Sequence, residues 1–527
     1  MHKRLRVTGI VLMLFCGLLV LYLVLLMGQA QYQEVSVRQS QTVLTAGYAQ
    51  GTIYDRNMKP LVNRETAYYA AAAPTSESIA AILPHMEEIA PLLKGIRTQK
   101  PFLCRVNTPQ IGCDAVTVLS LPERGDGHMT GQHVLGYTLE NTGVTGLEGD
   151  YDKLLRAKED PVTASFTVDA KGHALEGVPP VVTSMQDYNS GIVTTLDYDI
   201  QALCEAQPIE KGAVVVMEVK TGDIVAMASF PAYDPDHLGE AISDENAPLI
   251  NRCLCPYSVG SIFKLMTAAA AYRSHQTPFC TECSGKTVIK GQTFRCHDWR
   301  GHGKVDMKQA MIDSCNVYFV ELSERLKPSV MRETAQDFGF GTQFALSGSI
   351  ISASGTLPSP QDLKLPAEMA NFCFGQGKLT ATPLQITQMT CGIANRGRMP
   401  IARLIRGIER DGELIAEEKP PRYAAVASYE GAAYLQSLMI AAINQNAHSK
   451  AVPSNVYAAA KTSTAQTGRY DEDGTEYCHA WITGYFPIDK PRYAVTVLAE
   501  DGGYGNDAAA PVFRTLAEQI TELERRR

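Results

Sequence analysis

From Val7 to Met27 the chain is almost wholly apolar, and no residue between Val7 and Gln33 is charged. Wound as a helix, such a run crosses a bilayer, so it predicts a membrane anchor. No second apolar run of comparable length follows. Beyond it the pattern changes period. Residues 76–93 carry apolar positions at helical spacing. Residues 191–195 read as a strand, and Asp199 opens a helix. Residues 213–219 are an apolar run that predicts a buried strand, and Lys220-Thr221-Gly222-Asp223 turns it into a second one over 224–228. Residues 480–486 and 493–499 predict two more strands. Pro511 then opens a last helix to about Leu523, since proline is well tolerated in a first turn. Strands at both ends of this region, around a mainly helical middle, predict an α+β domain. Its antiparallel sheet is assembled from the two ends, with helices packed on it.

Lys3, Arg4 and Arg6 precede the apolar run and no basic residue closely follows it, which predicts a cytoplasmic N-terminus. A cleaved signal peptide has a shorter apolar core of about 7–15 residues. Gly28-Gln29-Ala30 resembles a cleavage site, but the length of the run favours an uncleaved anchor. Everything after Ala30 is then expected outside the cytoplasm. Pro179-Pro180 and the polar stretch to Ser190 mark a boundary. The expected division is therefore 1–30 (cytoplasmic start and anchor), 31–185 and 186–527. The middle region includes Gln50-Gly51-Thr52-Ile53-Tyr54-Asp55-Arg56-Asn57, a short strand entering a polar turn. It also holds Gly143-Val144-Thr145-Gly146-Leu147-Glu148, a glycine turn leading to a helix start at residues 151–155. It carries no evident nucleophile–base pair and reads as a spacer or docking module.

Composition narrows the picture further. The chain is 45% hydrophobic and 20% charged, with 13 cysteines and a net charge of -8. A large core is possible, and with no basic stripe nucleic acid is not an expected partner. Outside the cytoplasm disulfides are permitted. Cys104 and Cys113 flank a turn and could close a loop. Cys253, Cys255, Cys280, Cys283 and Cys296 cluster in one segment. Cys280-x-x-Cys283 with Cys296-His297 has a zinc-like spacing, while a disulfide or free thiols fit the same residues. Sequence does not decide among these.

Three short motifs carry the chemistry. Ser261-Ile262-Phe263-Lys264 stands after Val259-Gly260 and before the apolar, alanine-rich residues 265–272, so a buried helix is expected to begin near Ser261. Serine there is an ordinary helix cap, but the same geometry offers a nucleophile beside free backbone N–H groups that can stabilise an oxyanion. Lys264 lies one turn on, on the same face. Desolvation by the helix would lower its pKa and make it a base. Ser314-Cys315-Asn316 sets two hydrogen-bonding side chains close together, with Cys315 expected to face the core. Lys461-Thr462-Ser463-Thr464 follows small residues suited to an edge strand, which can bind an extended peptide as an added strand.

Together and in this order, the motifs resemble those of penicillin-binding proteins and related β-lactamases. The wider chain resembles the class B penicillin-binding proteins, monofunctional transpeptidases of cell-wall synthesis. Residues 226–235, Phe374-Gly375-Gln376-Gly377 with Thr382-Pro383-Leu384-Gln385, and residues 479–485 match family segments. Residues 51–57 and 146–148 match its pedestal. The resemblance implies a transmembrane helix, an elongated pedestal or dimerisation-like domain over 31–185, and a serine β-lactamase-like transpeptidase domain over 186–527. It implies that Ser261 attacks the penultimate D-Ala carbonyl of a peptidoglycan stem peptide, Lys264 takes the serine proton, and Ser314 relays a proton to the leaving D-Ala. Asn316 would hold the substrate amide, and Lys461 and Thr462 the terminal carboxylate. The N–H groups of Ser261 and Thr464 would form the oxyanion hole. β-Lactams would acylate the same serine. The implied partner is a membrane-embedded SEDS-type glycosyltransferase, and no cofactor or metal is called for. Division, elongation and sporulation roles are all compatible. The alternatives are a D,D-carboxypeptidase or β-lactamase of the same fold, or a non-catalytic membrane-anchored scaffold or β-lactam sensor. Ser463 stands where the family usually has glycine, with the expectation that its hydroxymethyl group crowds the groove.

Overall fold

The computed structural model describes residues 2–27, 40–125, 129–156, 161–183, 190–410, 412–415 and 420–527. Gly28-Gln29-Ala30 and most of the polar stretch before Ser190 lie outside them. His2–Met27 is one helix. Residues 4–25 within it are long and apolar enough to span a membrane, and none of that stretch is buried against the protein.

The chain forms two compact units. The first comprises residues 1–50, 63–124 and 156–189. It contains two three-stranded sheets, one of them placing Glu65–Ala72 between Phe102–Val106 and Val116–Glu123. The helical spacing over 76–93 resolves into two helices, Ser76–Ile82 and Ala90–Thr98. Pro84 has no N–H with which to continue the helical hydrogen-bond ladder, and the first helix ends at Ile82, just before it. Pro91 then sits in the first turn of the second, where its missing N–H costs nothing.

The second unit comprises residues 51–62, 125–155 and 190–527. Two early segments thus fold with the C-terminal part of the chain. Ile53–Tyr54 pairs in parallel with Gly191–Thr194. Asp55 is buried and accepts from the N–H groups of Asn57, Lys59 and Tyr198, which holds the turn after that strand. A Cβ at Gly51 would collide with the Ser190 carbonyl, so only glycine fits there.

The main sheet has five antiparallel strands in the order Ile224–Phe230, Gly212–Glu218, Tyr493–Ala499, Glu476–Phe486, Ala459–Tyr470. Both faces are covered, so its strands are apolar on both sides. Ala213, Val215 and Met217 face one core with Phe263, Leu265 and Met389. Val214 and Val216 face the other, with Phe513, Leu516 and Ile520 of the final helix Ala509–Arg526. That helix starts two residues before the expected Pro511. The strand with the third motif, Ala459–Tyr470, lies at the sheet edge, and the helix Lys264–Arg273 packs into the first core beside it.

Candidate active site

Glycine places the nucleophile motif. Gly260 has a left-handed φ of 62°, and its N–H donates to Gly375 O at 3.0 Å. Gly375, with φ 88°, packs so closely that a Cβ there would collide with Gly260 O. Ser261 then sits half-buried in a 3-10 turn, Gly260–Phe263, that runs directly into the helix Lys264–Arg273. Ile262 and Phe263 are fully buried, and the Phe263 ring lies 4.7 Å from that of Phe372. The turn is therefore held by its neighbours on the core side, and Ser261 is less buried than the two residues that follow it. Among the described residues the Ser261 hydroxyl has no hydrogen-bond partner.

Lys264 is fully buried. Its amine donates to Ser314 O at 2.6 Å, Asn316 Oδ1 at 2.8 Å and Ser314 Oγ at 3.1 Å. Lys461, also buried, donates to Ser314 Oγ at 3.3 Å and to Thr462 O at 3.1 Å. One hydroxyl therefore lies between two amines, and all three motifs meet there. Burial, reinforced by the charge of Lys461, lowers the Lys264 amine to about 7. Burial likewise lowers Lys461 to about 8. Withdrawal from water disfavours the charged form, and among the described residues neither amine has a carboxylate partner to restore it.

Ser314 adopts a left-handed φ of 51°, uncommon for a residue with a side chain. This directs both its carbonyl and its hydroxyl at Lys264. Asn316 begins the helix Asn316–Ser323, and its amide nitrogen donates to Arg295 O at 3.3 Å. Cys315 is buried, as expected of a residue facing the core.

On the edge strand, burial alternates. Lys461, Ser463 and Ala465 are buried, while Thr462 and Thr464 are half-exposed. Thr464 Oγ1 accepts from Gly505 N at 3.1 Å. Ser463 does not project into an open groove. Its hydroxyl donates to Val259 O at 2.8 Å, tying the strand to the turn before Ser261. Sequence reading missed a support group below this turn. Tyr257 donates to Glu500, which also pairs with the buried Arg252 at 2.9 Å. Trp481 Nε1 donates to Ser258 O at 3.1 Å. Arg252 and Glu500 stand 248 positions apart, so no local pattern could have joined them.

This geometry has counterparts. The penicillin binding protein transpeptidase domain family model matches residues 212–518. The chain belongs to that family. It is 29% identical over 345 residues to the peptidoglycan D,D-transpeptidase MrdA of Haemophilus influenzae, a match covering 58% of this chain and 52% of that protein. The chain thus spans about half the length of that relative. It is 29% identical over 428 residues to the peptidoglycan D,D-transpeptidase PbpA of Mycolicibacterium smegmatis, covering 75% and 82%. Among solved structures, a ceftriaxone acyl-enzyme of penicillin-binding protein A from M. tuberculosis aligns with a TM-score of 0.65 at 22% identity, covering 89% of this chain and 98% of that one. The complex of PBP2 with MreC from Helicobacter pylori aligns with a TM-score of 0.63 at 21% identity, covering 92% and 99%. At such identities these structures support the fold.

Proposed function

We propose that the chain is a membrane-anchored class B penicillin-binding protein, a peptidoglycan D,D-transpeptidase that works through a serine acyl-enzyme. The observation that carries this reading is the Ser314 hydroxyl held between the Lys264 and Lys461 amines. Ser261 Oγ attacks the penultimate D-Ala carbonyl carbon, and its proton passes to the neutral amine of Lys264. With a pKa near 7, that amine is available as a base at neutral pH. The oxyanion is held by the Ser261 and Thr464 N–H groups. Ser314 passes a proton to the leaving D-Ala nitrogen, since a hydroxyl can accept from one amine while donating onward. Lys461, in its charged form, and Thr462 hold the terminal carboxylate, and Asn316 turns its amide to the substrate backbone. An amine of a second stem peptide then attacks the acyl-enzyme and releases Ser261 as the cross-link forms. β-Lactams enter by the first half of this path and acylate Ser261.

The first unit serves as the pedestal on an uncleaved anchor whose N-terminus is cytoplasmic. Lys3, Arg4 and Arg6 support that orientation. A multi-spanning SEDS-type glycosyltransferase is the proposed source of the glycan strand, because the matched family domain supplies only the peptide chemistry. Fluorescent penicillin should label the protein, and mass spectrometry should place the adduct on Ser261. Cross-linked dimers should form from lipid-linked precursor when a polymerising glycosyltransferase is supplied. An adduct elsewhere, or hydrolysis without cross-links, refutes the reading.

A further inference from the structure

Beside the Ser314-Cys315-Asn316 segment, and outside the proposed acyl-transfer machinery, four metal-binding side chains converge. The Sγ atoms of Cys283, Cys296 and Cys315 and a ring nitrogen of His302 all lie within 4.8 Å of one another. Three of the six edges are 3.6 Å from Cys283 Sγ to His302 Nδ1, 3.5 Å from Cys296 Sγ to His302 Nδ1, and 3.9 Å from Cys296 Sγ to Cys315 Sγ. A tetrahedral zinc ion binds thiolate sulfur at about 2.3 Å and imidazole nitrogen at about 2.0–2.1 Å. Those bonds set sulfur–nitrogen edges of about 3.5 Å and sulfur–sulfur edges of about 3.8 Å. Three of the edges thus match such a tetrahedron, and the other three are no longer than 4.8 Å. A disulfide does not fit the Cys296–Cys315 pair, whose sulfurs are 3.9 Å apart, far beyond the roughly 2.05 Å of the bond.

The backbone is shaped for this cluster. Cys283 ends the strand Cys280–Cys283, opposite Gly303 in its partner strand. Cys296 follows the strand Gln292–Arg295, and its N–H donates to Gly285 O at 2.9 Å. Gly285 and Gly301 both have left-handed φ, 88° and 83°. A Cβ on the first would collide with Trp299 O, and on the second with Cys283 O. Two glycine turns therefore close on each other and bring Cys283, Cys296 and His302 together. Cys315 completes the set from the start of the Asn316–Ser323 helix. All three cysteines are buried.

We propose that Cys283, Cys296, His302 and Cys315 bind one structural zinc ion that fixes the Ser314–Asn316 segment against the two catalytic lysines. Three thiolates and an imidazole form a donor set suited to zinc. Four protein ligands close the tetrahedron, so the ion is structural, and the thiol protons leave to solvent as it binds. The spacing is Cys283-x12-Cys296-x5-His302-x12-Cys315. It draws on two residues of the zinc-like sequence pattern but replaces the other two. Cys280 is exposed at the far end of its strand, and His297 is exposed beside Cys296.

The test uses the full chain in detergent, purified without chelator. Elemental analysis should find about one zinc per chain, and Cys283→Ser and His302→Ala should each lose most of it. Cys283 lies outside the acyl-transfer motifs, and cobalt(II) loaded into the stripped wild-type chain gives a readout independent of variant folding. It should show the intense visible bands of a tetrahedral thiolate site with a sulfur-to-cobalt charge-transfer band. Zinc at background with weak octahedral cobalt bands, iron in place of zinc, or a mapped Cys296–Cys315 disulfide would each overturn the site. Removing zinc should slow penicillin acylation at least about tenfold, and adding it back should restore the rate. Unchanged acylation in the stripped protein overturns the positioning role. That arm rests on the transpeptidase reading, whereas metal content and cobalt spectra do not.

Discussion

Ser463→Ala tests whether the third motif positions the nucleophile. The wild-type hydroxyl donates to Val259 O at 2.8 Å and is 2% exposed. A buried neutral hydrogen bond of this kind contributes about 0.5–1.5 kcal/mol, and a carbonyl left unpaired by its loss costs about 1–3 kcal/mol. Val259 lies two residues before Ser261, on the turn clamped from the other side by Gly375. If the tether sets the approach of Ser261, about 1 kcal/mol of it reaches the transition state and acylation slows about fivefold. The same loss lowers the melting temperature by about 2–4 °C at most. Stopped-flow acylation by a fluorescent penicillin, with thermal melts in parallel, separates the two effects. Ser463→Gly is expected to slow acylation at least as much, since it loses the tether and adds backbone freedom to the edge strand. A lowered melting temperature with wild-type acylation would make Ser463 a purely structural tie. Faster acylation of Ser463→Gly, above all by bulky cephalosporins, would refute the tether and restore the groove-crowding expectation.

The pH dependence of acylation should be bell-shaped. On the proposed mechanism Lys264 must be neutral to take the proton, so the rate rises as pH passes its value of about 7. Lys461 must be charged to hold a carboxylate, so the rate falls as pH passes its value of about 8. The two amines share one hydroxyl, so both limbs describe the pair, and a flat profile across that range refutes the assignment. Lys264→Met should reduce acylation by about 10²–10⁴-fold by deleting the base, measured as the same second-order rate constant. Gly375→Ala meets both a left-handed φ and a collision with Gly260 O, and should cost about 4 kcal/mol or more with loss of penicillin labelling. Ser314→Gly relaxes a left-handed backbone and should recover about 1 kcal/mol of stability in thermal melts, while cutting acylation sharply because the shared hydroxyl is gone.

The strands at 213–219, 224–228, 480–486 and 493–499 were legible because a sheet covered on both faces needs continuous apolar runs, which little else in the chain resembles. The helix expected over 76–93 failed at Pro84, a local signal the apolar spacing outweighed. Membership of the two units was not legible. Ile53–Tyr54 finds its partner at residues 192–193, and a two-residue strand carries no mark of which sheet receives it. The catalytic motifs were legible as residues, but their convergence on Ser314 Oγ was not, since Lys264 and Lys461 reach it from 50 and 147 positions away. The cysteines show the same limit most sharply. Short spacing drew attention to Cys280 and His297. In extended chain, however, residues an odd number apart point to opposite faces. Cys283 therefore turns inward where Cys280 turns out, while Cys296 is buried and His297 exposed where the chain bends after Arg295, and the remaining donors come from His302 and Cys315.

These placements explain why Ser314 keeps a side chain in a conformation that favours glycine. A left-handed serine costs about 1–3 kcal/mol and persists only where its surroundings over-determine it. Here three contacts do so. Lys264 holds its carbonyl and hydroxyl, Lys461 holds the hydroxyl from the edge strand, and Cys315 next to it is fixed in the cysteine–histidine cluster. The two amines cannot approach one another closely while both are charged, and the proposed mechanism needs one neutral and one charged. A hydroxyl pinned between them accepts from either, so it tolerates both protonation patterns without moving. On the proposed mechanism, rigidity at Ser314 is therefore what would let two neighbouring lysines divide the roles of base and cation, and the strain in its backbone is what that division predicts.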